Sequence, residues 1–228
     1  MSDGPLKESS IAALQAIKAK KGAIFDLDGV IVDTAKYHYL AWKRLASELG
    51  FEFTEAHNEA LKGVSRMKSL EILLGVGGIK ADEQTRRELA EKKNNWYVEL
   101  ISRMEANEVL PGARSFLALV RRLGIKTALG SASRNAPLIL DRLELSSLFN
   151  AIVDGNSVSR AKPDPEVFLK CAQRLDLRPY DCIVFEDAVA GIEAAKNAGM
   201  AVIGIGAPLA LSNADYVVPG LYALLPTD

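Results

Sequence analysis

Three apolar runs, Ala151-Ile152-Val153, Ile183-Val184-Phe185 and Ala201-Val202-Ile203, contain no polar residue, so neither face of these segments suits contact with water. A half-exposed strand alternates apolar and polar side chains, whereas parallel strands covered by helices on both faces read as uninterrupted runs. Ala23-Ile24-Phe25 is a fourth run; it ends at Asp26, with Gly29 breaking the pattern, and reads as a central strand entering a loop. Lys126 to Leu129 reads as a further strand, and helical stretches are expected at Ser115 to Leu123 and Pro137 to Leu143. Lys162-Pro163-Asp164-Pro165 offers Asp164 as N-cap and Pro165 as the first residue of another helix. Gly199 suits a helix end before the strand at Ala201. Strands alternating with helices predict an α/β fold, a doubly wound parallel sheet of Rossmann-like type.

Strand signals vanish from Lys36 to Met104. Tyr37, Leu40, Ala41 and Leu45 share one helix face there, and Ser69 to Leu74 and Glu83 to Met104 continue the helical period. The expectation is an all-helical cap domain, 36–104, inserted into an α/β core made of 23–35 and 105–228. Residues 1–22 form an N-terminal helical extension: Ile11, Leu14 and Ile17 recur at helical spacing ahead of Lys18, Lys20 and Lys21, where a helix C-terminus favours cations.

With 28 Lys plus Arg against 29 Asp plus Glu, the net charge of -1 supplies no general field for nucleic acid or an anionic membrane. Any phosphate must therefore be bound by a local site. The composition, 49% hydrophobic and 25% charged, is sufficient for a packed core without disulfides. Nothing resembles a membrane span, and residues 1–22 lack the apolar centre of a secretory signal, so the expected compartment is the cytoplasm and the expected state a monomer. Cys171 and Cys182 fall in a helix and a strand, match no metal spacing, and read as reduced core thiols.

Ligands of doubly wound sheets collect beyond the carboxyl ends of the strands, and four such ends carry reactive residues. They are Asp26 and Asp28 after the first strand, Ser131 after the second, Lys162 in the loop after the third, and Glu186 with Asp187 after the fourth. Carboxylates so close repel one another unless a divalent cation or a shared proton intervenes. Oxygen ligands point to magnesium, which suits phosphate chemistry and would let Asp26 serve as both ligand and nucleophile. Asp26-Leu27-Asp28-Gly29 alone also fits a simple turn. A calcium loop does not fit, because Val30 and Ile31 stand where a polar ligand and a glycine belong.

Phe25-Asp26-Leu27-Asp28-Gly29-Val30 with Asp33-Thr34, Ser131, Lys162-Pro163-Asp164-Pro165 and Glu186-Asp187 closely resembles the haloacid dehalogenase-like superfamily, from about Gly22 to the chain end. The resemblance implies that Asp26 attacks phosphorus to give a phospho-aspartate. It also implies that Asp28 is general acid/base and lends its backbone carbonyl to Mg2+, that Asp187 and Glu186 complete the metal site, and that Ser131, Ala132 and Lys162 hold the transferring phosphoryl group. These roles are physically coherent, since charge spread over three phosphoryl oxygens is best met by a metal, an ammonium and directed donors.

Thr34, His38, Trp42 and Leu61-Lys62-Gly63-Val64-Ser65-Arg66 with Ser69, together with Ser131-Ala132-Ser133-Arg134-Asn135-Ala136-Pro137, resemble the sugar phosphomutases of that superfamily. The activity so implied converts β-glucose 1-phosphate to glucose 6-phosphate through a 1,6-bisphosphate that turns around in the site. Such a sugar phosphate needs a second, non-reacting phosphate site, for which Arg66 is the natural cap residue, with Ser133 and Asn135 assisting on the core side and Arg134 expected among the substrate contacts. His38, Lys62, Gly63 and Val64 are expected to orient the sugar and Asp28. Met67-Lys68 departs from the pattern, which has acidic residues there, and the residues before Gly22 lie outside the resemblance. A sugar-phosphate or phosphoglycolate-like phosphatase and a non-catalytic sugar-phosphate binding module are the alternatives. A phosphoserine loop at Ser131 to Asn135 is rejected, because enzymes using one are much longer and lack the Asp26 and Asp28 motif.

Overall fold

The computed structural model describes residues 4–61 and 64–226. Its sheet has six strands: β1 Gly22–Phe25, β2 Lys126–Gly130, β3 Ala151–Val153, β4 Cys182–Glu186, β5 Ala201–Ile205 and β6 Tyr216–Val218. Their order is β3-β2-β1-β4-β5-β6 with every neighbouring pair parallel, so β1 is central, as its apolar run requires.

Strand side chains alternate between two faces, and both are covered. Ala23, Phe25, Leu129, Ile183, Phe185 and Ile203 pack in one cluster, whereas Ile24, Ala128, Val184 and Val202 pack in another. The first cluster takes Phe116, Leu117 and Val120 of α6 (Ala113–Arg122) and Ile139 and Leu140 of α7 (Ala136–Arg142). The second takes Phe168 and Cys171 of α8 (Glu166–Leu175) and Ile192 and Ala195 of α9 (Val189–Asn197). Phe25 stacks on Phe185 at 4.5 Å between ring centroids, which locks the strands that carry the acidic residues. Both cysteines are free and buried.

Between β1 and β2 the described residues form helices and no strand: α2 Ala35–Glu48, α3 Glu55–Glu59, α4 Arg66–Val76 and α5 Glu83–Ile101. Three of these starts are capped by side chains, since Thr54, Ser65 and Asp82 accept the backbone N–H groups of His57, Lys68 and Thr85. The insert has its own core of Trp42, Leu45, Phe53, Leu70 and Leu73. It joins the α/β core through two antiparallel segments, where Asp33 N–H donates to Glu108 O and Leu110 N–H donates to Ile31 O, each at 2.9 Å. Glu108 is buried there and accepts from the Tyr37 hydroxyl and, at 3.0 Å, from Lys36 Nζ.

Several details depart from the sequence-based expectation. Helix α1 (Gly4–Lys18) packs on β6, but Ala13 and Ile17 are buried while Ile11 is 52% exposed, because the covered stripe lies one step round the helix. In α2 the buried set is Ala41, Trp42, Leu45 and Ala46, and Leu40 points outward. Pro165 is the N-cap of α8 instead of its first residue, and Asp164 caps from one place earlier by accepting the Glu166 N–H at 2.9 Å. Helix α5 stops at Ile101, short of Met104. No helix of the described residues is long and apolar enough to cross a membrane.

Candidate active site

Asp26 follows β1 directly, and its backbone N–H donates to Phe185 O at 2.9 Å, fixing it beside the end of β4. The loop then turns tightly at Gly29 (φ +79°), where a Cβ would collide with the Asp187 carboxylate, so glycine is what lets the two acidic loops meet. Lys162 Nζ reaches in from the loop after β3, 2.6 Å from Asp26 Oδ1 and 2.8 Å from Glu186 Oε2. The other Glu186 oxygen accepts the Ala188 N–H at 3.2 Å, and Gly191 leaves room for that carboxyl, since a Cβ there would overlap it. Asp26 lines the cavity and its second oxygen has no hydrogen-bond partner among the described residues.

The electrostatics of this corner are unbalanced. Asp26, Glu186 and Asp187 each place a carboxylate oxygen within 4.8 Å of the others, and Asp28 stands nearby. Burial, then Glu186, Asp26 and Asp28, push Asp187 well above the usual carboxylate range. Burial and Asp26 push Asp28 up to about 6, and burial likewise raises Glu186. Burial opposes the charge on Lys162, but Asp26 and Glu186 outweigh it and hold that ammonium firmly protonated. One ammonium against four carboxylates is the donor set of a hard divalent cation. The Asp28 carbonyl accepts no backbone hydrogen bond among the described residues, so it too is available to an ion.

The insert supplies the opposite wall. Thr34 is the N-cap of α2, yet its hydroxyl donates to Asp28 Oδ1 instead of serving as a cap. One turn later the His38 ring stacks on Tyr97 at 4.1 Å, and its Nδ1 lies 3.0 Å from Lys93 Nζ. Lys93 is 3% exposed, with its ammonium 4.4 Å from the Trp42 ring and 4.7 Å from the Tyr97 ring. Burial, then Arg66, pull Lys93 down to about 7, and burial, Lys93 and Arg66 hold His38 well below the usual imidazole range. Sequence reasoning does not single out Lys93 or Tyr97. Their signal is a lysine within the stripe Ala90, Lys93, Tyr97, Ile101, all buried on α5.

Arg66 opens α4, and both it and Arg134 of the core line a cavity of about 820 Å³. Burial and then Arg134 lower the Arg66 pKa, against a smaller opposing pull from Glu91. On the core side Ser131 Oγ accepts the Ser133 N–H at 3.0 Å, and Ser133 Oγ accepts the Asn135 N–H at 3.2 Å. Ala132, Ser133, Arg134 and Asn135 line the cavity, while Ser131 lies just beneath its wall. Val64, Ser69 and Trp42 complete the wall, Trp42 also serving the insert core. Met67 lines the same end, whereas Lys68 turns to Glu71 at 2.9 Å. Lys62 and Gly63 lie outside the described residues.

A loop bearing Asp26 and Asp28 after a central parallel strand, a lysine and an acidic pair on neighbouring loops, and a helical insert above them define a class. The chain belongs to the haloacid dehalogenase-like hydrolases, whose family model matches residues 20–199. Within that class it is 46% identical over 200 residues to β-phosphoglucomutase of Bacillus subtilis, covering 87% of this chain and 88% of that one. The crystal structure of β-phosphoglucomutase from Clostridium difficile superposes with a TM-score of 0.87 at 43% identity, covering 90% of this chain and 93% of that one. A phosphorylated carbohydrates phosphatase of Thermotoga maritima is 36% identical over 183 residues, covering 79% of this chain and 82% of the relative.

Proposed function

We propose that this chain is a magnesium-dependent β-phosphoglucomutase working through phospho-Asp26, with residues 36–104 acting as a cap over the core. The observation that carries the reading is one cavity lined by two sets of cationic groups, Lys162 beside Asp26 and the pair Arg66 and Arg134. Lys162 lies beside Asp26 on the core side, and Arg66 of the insert and Arg134 of the core line the same cavity, near enough for Arg134 to lower the Arg66 pKa. A hydrolase needs only the first; a substrate that must be held by either of two phosphates in turn needs both.

In the proposed cycle the free oxygen of Asp26 bonds to phosphorus as the phosphoryl group leaves its donor oxygen, with Lys162 neutralising charge on the phosphoryl oxygens beside Asp26. Asp28 removes the proton of the C6 hydroxyl of β-glucose 1-phosphate while that oxygen takes the phosphoryl group from Asp26. The 1,6-bisphosphate turns end for end, and Asp28 returns the proton to the C1 oxygen as the C1 phosphate passes to Asp26, leaving glucose 6-phosphate. A pKa of about 6 suits a carboxyl that must both take and give a proton near neutrality. Thr34 fixes the Asp28 side chain, and the His38 and Lys93 pair positions the cap wall above it. Asp26, Asp187 and the Asp28 carbonyl would hold Mg2+, with Glu186 aiding from behind Lys162; the ion, when bound, offsets the negative charge of the phosphoryl group and of the carboxylates. Ser131, Ala132 and Lys162 hold the transferring group, while Ser133, Arg134 and Asn135 with Arg66 hold the other phosphate. Val64, Ser69 and Trp42 shape the sugar wall. One chain supplies every group, so a monomer suffices.

The test supplies magnesium, β-glucose 1-phosphate and trace β-glucose 1,6-bisphosphate and follows glucose 6-phosphate and inorganic phosphate separately. Glucose 6-phosphate formed far faster than phosphate is the expected result. Steady phosphate release without isomerisation would assign the chain to the sugar-phosphate phosphatases instead.

A further inference from the structure

Asn135 Nδ2 donates to Asn94 Oδ1 at 2.9 Å, and both side chains line the cavity. Asn94 belongs to α5 of the insert, one residue after Lys93, whereas Asn135 is the N-cap of α7 in the core. The bond therefore joins the two parts at a point separate from the two connecting segments, in the wall of the cavity that isomerisation must keep dry. Asn135 does not cap α7 with its side chain, so its amide is free for this contact. A primary amide has two N–H donors; one is taken by Asn94, and the other remains for an anion between Arg66 and Arg134.

We propose that Asn94 is a positioning residue that latches the cap to the core and holds the Asn135 amide ready for the non-reacting phosphate, so that filling that end of the cavity and excluding water are coupled. The proposal rests on the mutase reading and adds to it a specific device against hydrolysis. Water competes with the sugar hydroxyl for phospho-Asp26, so loosening the latch shifts the partition between the two acceptors. A merely structural loss would slow isomerisation and phosphate release together and leave their ratio unchanged.

The experiment measures the ratio of inorganic phosphate to glucose 6-phosphate formed from β-glucose 1-phosphate with magnesium and trace β-glucose 1,6-bisphosphate. Asn94→Leu removes the acceptor at similar volume, and Asn94→Ala removes it should the leucine variant fail to fold. Either raises the ratio by about three- to tenfold, the equilibrium weight of one ordinary hydrogen bond. Asn94→Asp keeps an acceptor oxygen in the same place and holds the ratio within about twofold of wild type. A wild-type ratio in the leucine or alanine variant, or an aspartate variant as leaky as the leucine one, overturns the latch while the mutase reading stands. Wild-type enzyme that only releases phosphate removes that reading, and the latch with it.

Discussion

Lys93 holds its ammonium between the Trp42 and Tyr97 rings and beside His38, where burial and Arg66 lower its pKa to about 7. In the unfolded chain the same group titrates near 10.4, so between about 7 and 10.4 the unfolded state binds more protons and stability rises with pH. Lys93→Met, which removes that titration, is expected to gain most over wild type at or below about pH 7 and to lose this advantage as pH rises towards 10. Thermal melts in metal-free buffer at about pH 6.5 and 9.5 check this, and an advantage that does not change with pH contradicts it. Arg66 lines the same cavity. Arg66→Ala removes a charged donor set, and isomerisation should fall about tenfold to a hundredfold while hydrolysis of a small acyl phosphate, which needs only the Asp26 end, persists; an unchanged isomerisation rate would discard the clamp. The strand-end residues Asp26, Asp28, Lys162, Glu186 and Asp187 are readable in the sequence because topology alone brings strand ends together. Lys93 is not, because a helical lysine reads as a solvated charge until the partners of its helix face are known.

Among the elements, uninterrupted runs announce β1, β4 and β5 because burial on both faces leaves no polar position to confuse the pattern, and β3 is legible from its apolar residues although two of the three are half-exposed. Strand β6, Tyr216-Val217-Val218, has the length and half-exposure of β3 but opens on a tyrosine with a polar hydroxyl, so it does not read as an uninterrupted aliphatic run. The junction of β4 with α9 depends on Gly191, whose missing side chain leaves space for the Glu186 carboxyl that steadies Lys162. Gly191→Ala should destabilise the fold by about 1–3 kcal/mol through overpacking and also slow phosphorylation by displacing Glu186. Gly75 in α4 has open space where a methyl group would stand, with no atom within 4 Å, and Gly75→Ala should be neutral or stabilising by up to ~1 kcal/mol. Denaturant melts of the two variants give the comparison, and equal stability at the two sites would contradict the packing argument.

For the molecule as a whole, near-zero net charge supplies no general field for anions, so the proposed function asks local cations to bind phosphate. The insert can be read as helical from its sequence, but the cavity between it and the core cannot, because it arises from how α2 and α5 sit above the strand ends. The proposed chemistry centres on the Asp26 carboxylate, which lines that cavity with one oxygen bound by Lys162. The direct measurement is rapid quenching of the magnesium-loaded enzyme with β-glucose 1,6-bisphosphate labelled in both phosphates, followed by peptide mapping. The predicted result is an acid-stable, base-labile label on the Asp26 side chain that forms within one turnover and is absent from Asp26→Asn. Isomerisation proceeding with no label on Asp26, or undiminished in the Asp26→Asn variant, would contradict it.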